Sequence, residues 1–199
     1  MKKTFYMLSI LLVLISCGIA KTKYNYYYET GKYLDLSKGK WILNKVYTNY
    51  DETKIYDIAL EEFGEILGDS LYEISTFRND RILAEQYPFE PSVSELKEIK
   101  LITNCDYLIN VKSNILKNEG GSLSYNRGSQ FDSDTNRASS TIKIYDLNAL
   151  VLVSDVSVTG SSSNIKKPND DGFTYMSNST NILVNGLTKL IKKYKKHRL

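Results

Sequence analysis

Apolar positions change rhythm along the chain, and each change marks a new element. Residues 5–15 form an apolar run behind Lys2 and Lys3. Residues 40–48 (KWILNKVYT) combine aromatic and β-branched residues after Gly39, which predicts a first strand. From Ile55 onward, Ile58, Ala59, Phe63, Ile66 and Leu67 recur at helical spacing, with Glu61, Glu62 and Glu65 on the polar side. Asp51 and Thr53 offer cap oxygens ahead of this helix, and Gly68 a stop behind it. Residues 70–77 read as a second strand, and residues 81–86 (RILAEQ) as a helical turn stopped by Pro88. After Pro91, a helix capped by Ser94 carries Leu96, Ile99 and Ile102 inward. Residues 106–116 suit a central strand, with Tyr107, Ile109 and Val111 on one face and Leu108 on the other. Residues 141–145 and 151–159 alternate and predict a hairpin turning at residues 146–149. Finally, Ile182, Leu183, Leu187, Leu190, Ile191 and Tyr194 trace one face of a terminal helix.

These elements predict an α/β (α+β) domain over residues 40–199 with a single mixed sheet of about five strands. The strands centre on Val46, Ile74, Ile109, Ile144 and Val153, the helices lie mainly on one face, and the order is β-α-β-α-β-β-β-α. Residues 118–140 and 160–180 are rich in Gly, Ser, Asn and Asp and read as polar loops. Residues 17–39, with Tyr24, Tyr26, Tyr27, Tyr28 and Tyr33, read as a flexible tether spanning about 25 Å as a coil.

The apolar run at 5–15 has the length of a signal peptide and is too short to cross about 30 Å of hydrocarbon. It ends on Leu14-Ile15-Ser16-Cys17, which resembles the lipobox of bacterial lipoproteins. The resemblance implies removal of residues 1–16, lipidation of Cys17 and attachment of the chain to the membrane through that lipid. Gly18 rather than Asp after the cysteine implies, by the same resemblance, an outer-membrane lipoprotein, with the domain expected to face the periplasm.

Removing Lys2 and Lys3 from the 26 basic residues leaves 24 against 23 acidic ones, a net charge of +1, which suggests no nucleic-acid partner. With Cys17 lipidated, Cys105 is the one remaining thiol, so stability comes from packing rather than a disulfide. The single histidine, His197, leaves no parts for a His-based triad or a multi-His metal site. Asp132, Asp134, Asp170 and Asp171 do not match EF-hand spacing, and no phosphate-loop motif occurs. Neither catalytic residues, a metal site nor a cofactor is therefore expected.

Charge is unevenly placed. Between residues 172 and 199 there is no acidic residue, while Lys189, Lys192, Lys193, Lys195, Lys196 and Arg198 supply six positive charges. Such lysines suit the C-terminal end of a core helix through its dipole. Lys192, Lys193, Lys195, Lys196 and Arg198 are also the candidate residues for docking an anionic surface or an acidic partner.

Three phrases are similar to the periplasmic α/β domain shared by the curli-secretion lipoprotein family, the N-terminal domain of the Tol translocation protein and the lipoprotein activators of penicillin-binding proteins. They are RILAEQ at 81–86, Cys105-Asp106-Tyr107-Leu108-Ile109, and IKIYD at 142–146 followed by VLVS at 151–154. Leu147-Asn148-Ala149-Leu150 lacks the family's turn glycine, and residues 118–140 do not supply the alternating apolar strands of the pore-forming members. The resemblance implies a non-enzymatic envelope assembly, scaffold or accessory factor that binds a protein partner. A carrier of lipid or glycan and an envelope hydrolase are the alternatives.

Overall fold

The computed structural model describes residues 18–31, 34–77, 84–119, 121–127, 133–165 and 171–196. Cys17, Arg198 and residues 81–83 lie outside the described residues.

The chain is a mixed α/β fold. Its strands are β1 (Gly18–Ile19), β2 (Lys23–Thr30), β3 (Trp41–Leu43), β4 (Tyr47–Thr48), β5 (Leu71–Glu73), β6 (Tyr107–Asn118), β7 (Leu123–Arg127), β8 (Ser133–Asp146), β9 (Val151–Ile165) and β10 (Asp171–Tyr175). Three helices of the described residues are α1 (Glu52–Leu67), α2 (Val93–Thr103) and α3 (Ser179–Lys196). A seven-stranded sheet runs β2-β9-β8-β6-β3-β5, with β4 added beside β6. β1, β10 and β7 make a separate three-stranded sheet in that order.

Local chemistry explains the helices. Asp51 caps α1 by accepting the Lys54 amide, and Gly68, at φ 55°, ends it. Ser92, not Ser94, caps α2, closing a capping box with Glu95, and Asn104 ends it in a left-handed conformation. α1 turns Ile55, Ala59, Phe63, Ile66 and Leu67 onto one face of the main sheet. α3 adds Ile182, Leu183, Leu187, Leu190, Ile191 and Tyr194 to the same face, against Ile109, Val111, Ile142, Ile144, Val156 and Val158. Each such aliphatic side chain contributes about 1.5–3 kcal/mol on full burial. α2 covers the opposite face, where Leu96 and Ile99 meet Ile42, Ile74, Leu108 and Leu147.

Several expectations are corrected. The sheet has seven strands rather than about five, and the order of elements differs. Val46 lies between β3 and β4, and Ile74 begins a 3₁₀ turn after the three-residue β5. Residues 84–86 are not helical. Residues 17–39, expected as a tether, supply β1 and β2. The two expected polar loops instead contain β7 and the start of β8, then the end of β9 and β10. Polar strands of this kind form because the backbone ladder does not require apolar side chains. β8 and β9 pair from Asp146↔Val151 out to Ser133↔Ile165. At the hairpin turn, Leu150 takes φ 59° where no glycine is available, and Asp146 accepts the Asn148 and Ala149 amides.

Candidate functional site

The site with most to offer a partner is the sheet edge made by β2. Tyr24, Tyr26 and Tyr28 alternate inward, half-buried, while Lys23, Asn25, Tyr27 and Glu29 point outward. Aromatic residues at every second position favour a pleated strand with one packed face. β2 pairs antiparallel with β9 from Lys23↔Ser161 to Tyr28↔Val156, and a bulge follows before Thr30. Its other edge pairs with no strand among the described residues. Lys23 and the bulge blunt the ends of this edge, but the middle stays regular and exposes Tyr27 at 59%.

α3 holds the inner rings in place. The Lys189 ammonium lies 4.0 Å from the centroid of Tyr24, and that of Lys193 lies 4.7 Å from Tyr26. Burial pushes the phenols of both tyrosines up, with a further push from the neighbouring tyrosine in each case, so both rings stay neutral under their cations. Two more cations of the predicted cluster turn towards α1. Lys192 lies 3.2 Å from Glu62, whose side chain is largely buried, and Lys195 lies 3.7 Å from Glu65. Lys196 is exposed in the last turn. The structure thus sets Lys193 against β2 and Lys192 and Lys195 against α1, with Lys196 exposed; Arg198 and Cys17 lie outside the described residues.

A cleft of about 370 Å³ opens at the carboxyl ends of the parallel strands β3 and β5. The chain leaves β3 for α1 on one face and leaves β5 for α2 on the other, so the cleft sits at a topological switch point, a common location for ligands in open α/β sheets. Its walls carry Lys45, Glu52, Tyr56, Glu73, Ser75 and Glu85. Lys45 pairs with Glu85, and the Tyr56 hydroxyl donates to Glu73 at 3.0 Å. Burial and the Glu73 carboxylate push the Tyr56 phenol well above its usual value, so it remains a donor. Three carboxylates against one ammonium disfavour phosphates and other anions. Among the described residues, no nucleophile paired with a base lines this cleft. Cys105 is fully buried, and that burial pushes its thiol up, against a weaker lowering by Thr103. Among the described residues, no three His, Cys, Asp or Glu side chains converge on a metal-sized site.

The edge strand was missed in the sequence because Tyr27 interrupts the alternation of Tyr24, Tyr26 and Tyr28. The two-residue spacing of those three tyrosines was the available signal.

No family model and no curated protein matches this chain. Among solved structures, the chain is similar to the PelC dodecamer from Paraburkholderia phytofirmans, at 10% identity and a TM-score of 0.48 over 86% of this chain and 97% of that one. It is also similar to lipoprotein GNA1162 from Neisseria meningitidis, at 10% identity and a TM-score of 0.35, covering 80% of this chain and 99% of that one. A putative neuraminyllactose-binding hemagglutinin homolog from Helicobacter pylori matches at 11% identity and a TM-score of 0.37, covering 83% and 91%.

Proposed function

We propose that the protein is a non-enzymatic cell-envelope lipoprotein, anchored by lipid on Cys17 in the outer membrane and facing the periplasm, which acts as an assembly, scaffold or accessory factor by binding an envelope protein. On this reading it is a relative of the curli-secretion, Tol and penicillin-binding-protein-activator group, whose similar phrases fall on β6 and on the β8–β9 hairpin. The observation that carries the binding reading is β2, an eight-residue strand whose outer edge has no strand partner among the described residues. Such an edge takes an extended segment of another chain by strand addition, with main-chain hydrogen bonds for affinity and outward side chains for selection. Asn25 and Tyr27 supply those side chains. A lipid carrier needs an apolar cavity, whereas the switch-point cleft is lined by carboxylates, a lysine and hydroxyls.

The test is a photo-crosslinking residue placed at Tyr27, and as a control at exposed Glu61 on α1, in intact envelopes. A discrete adduct at Tyr27 that is absent at Glu61 is expected. Equal adducts at both positions, or none at Tyr27, would overturn the edge-strand reading.

A further inference from the structure

The three-stranded sheet concentrates exposed apolar surface. Ile19, Phe173 and Tyr175 are 76%, 51% and 49% exposed, and their clustering, rather than the exposure of any one of them, sets this sheet apart. The register sets Ile19 opposite Tyr175, and Phe173 lies two residues before Tyr175 on the same strand, so all three share one face. Hydrogen bonds extend the sheet past its strands and tie it to the body of the protein: Ala20 donates to the Tyr175 carbonyl, Met176 to that of Ser122, and the Thr22 hydroxyl to Ser177, whose carbonyl accepts from the Asn136 side chain of β8. Met176, immediately after β10, is fully buried. The apolar face is thus presented on a fixed mount.

Position decides what covers it. Ile19 is two residues from Cys17, a separation of at most about 7 Å along the backbone. A face that close to an acyl-bearing cysteine must lie at the level of the headgroups once the acyl chains enter the leaflet. Aromatic residues with an apolar body and a polar tip are favoured at that depth. Lys21 and Lys23, both exposed, follow where anionic headgroups would be met. We propose that Ile19, Phe173 and Tyr175 form a membrane-contacting surface that seats the domain against the leaflet holding the Cys17 lipid and fixes its orientation there. The inference rests on the lipid anchor of the proposed function.

The test uses the lipidated protein in vesicles of phosphatidylethanolamine and phosphatidylglycerol. A nitroxide is attached through Phe173→Cys and, in a second sample, through Val93→Cys at the exposed start of α2. Buried Cys105 should not compete for the label. The label at 173 is expected at interfacial depth, accessible to oxygen and shielded from a water-soluble relaxing agent, while that at 93 stays in water. In a second arm, the Cys17→Ser chain lacking residues 1–16 is floated with the same vesicles. The combined change Ile19→Ser, Phe173→Ser, Tyr175→Ser should lower its bound fraction by about tenfold. Intact mass reports lipidation separately, so an unlipidated Cys17 would overturn the anchor while the second arm still reads the patch. A water-exposed label at 173 in the anchored protein, or flotation unchanged by the three serines, would overturn the membrane surface. So would shielding that grows with protein concentration in the absence of lipid, which would assign the face to a second copy of the chain.

Discussion

The Lys193 ammonium sits 4.7 Å from the centroid of the Tyr26 ring, joining the last turns of α3 to an edge strand about 165 residues away in the chain. With Lys189 over Tyr24, it makes α3 the backing of the edge proposed to recruit a partner. Half-exposed cation–π contacts contribute about 0.5–1 kcal/mol each. Lys189→Met with Lys193→Met should therefore cost about 1–2 kcal/mol in urea unfolding, whereas exposed Lys196→Gln should stay within about 0.5 kcal/mol. Equal costs for the two changes would show that general charge, not ring contact, is what α3 supplies.

The remaining cations bear on the anionic-surface reading of Lys192, Lys193, Lys195, Lys196 and Arg198. Glu62 and Glu65 offset Lys192 and Lys195, which reduces the field that end of α3 projects. Glu62→Gln with Glu65→Gln should raise low-salt binding of the lipid-free chain to phosphatidylglycerol vesicles several-fold, and about 150 mM salt should remove most of the gain. Vesicle binding that ignores both glutamates would leave these lysines with a structural role alone.

On the opposite face, fully buried Asn44 and Asn110 hydrogen-bond at 3.0 Å beside the parallel strands β3 and β6. Asn44 also donates to the Tyr87 carbonyl, and Asn110 donates to those of Pro88 and Phe89, so the pair fastens the segment leading into α2. Asn110→Leu would remove the acceptor of the Asn44 side-chain NH2 group and the donor to the Pro88 and Phe89 carbonyls. A loss of about 2–4 kcal/mol is expected by chemical denaturation, against under about 1 kcal/mol for exposed Lys97→Ala on α2.

Asp106 gives the fold an acid-sensitive clasp. The Lys40 amide, the Asn148 side chain and Lys100 all donate to its carboxylate and hold it down at about 2, against a smaller upward push from burial. A carboxyl lower in the folded than in the unfolded chain stabilises the fold above the unfolded value. That contribution is lost as pH falls from about 4 to about 2. Asp106→Asn should lower the melting temperature at pH 7 and make it less dependent on pH between 4 and 2. An unchanged pH slope in that window would place the acid sensitivity elsewhere.

How much of this was legible depends on which signal each segment carries. α1 was readable from Ile55 to Leu67 because an amphipathic stripe and the Asp51 cap agree. β6 and the core ends of β8 and β9 were readable from Ile109, Ile144 and Val156. Beyond Ile142 and Val158 the inward positions become Ser140, Ala138 and Asn136 on β8 and Gly160, Ser162 and Asn164 on β9, all buried and small or polar, so the alternation vanishes from the sequence while the strands continue. On the exposed face, Thr135, Arg137 and Ser139 pair in register with Ser163, Ser161 and Thr159 and carry no apolar mark either. The candidate site was legible in part. The cationic face of α3 was plain, but Glu62, Tyr24 and Tyr26 reach it from more than a hundred residues away, and no local pattern announces such partners.

The small residues that erased the pattern also explain how closely α3 packs. A Cβ added at Gly160 would come within 2.4 Å of Ile182 Cγ2 and 2.8 Å of Tyr24 Cε1. Ile182 is 1% exposed and sits inside the core, so it has little room to move. Gly160 therefore lets α3, β9 and β2 meet at one point, and its backbone shows no positive φ, so sterics alone govern the substitution. Gly160→Ala should cost about 1–3 kcal/mol, the usual penalty of overpacking. Gly160→Ala with Ile182→Ala should cost less than the two single changes together, because alanine at 182 lacks the Cγ2 that the new methyl would strike. The double-mutant cycle in urea measures this: a coupling energy of at least about 0.5 kcal/mol is expected. Strict additivity would mean that the helix shifts as a whole and that Gly160 does not set the distance between α3 and the edge strand.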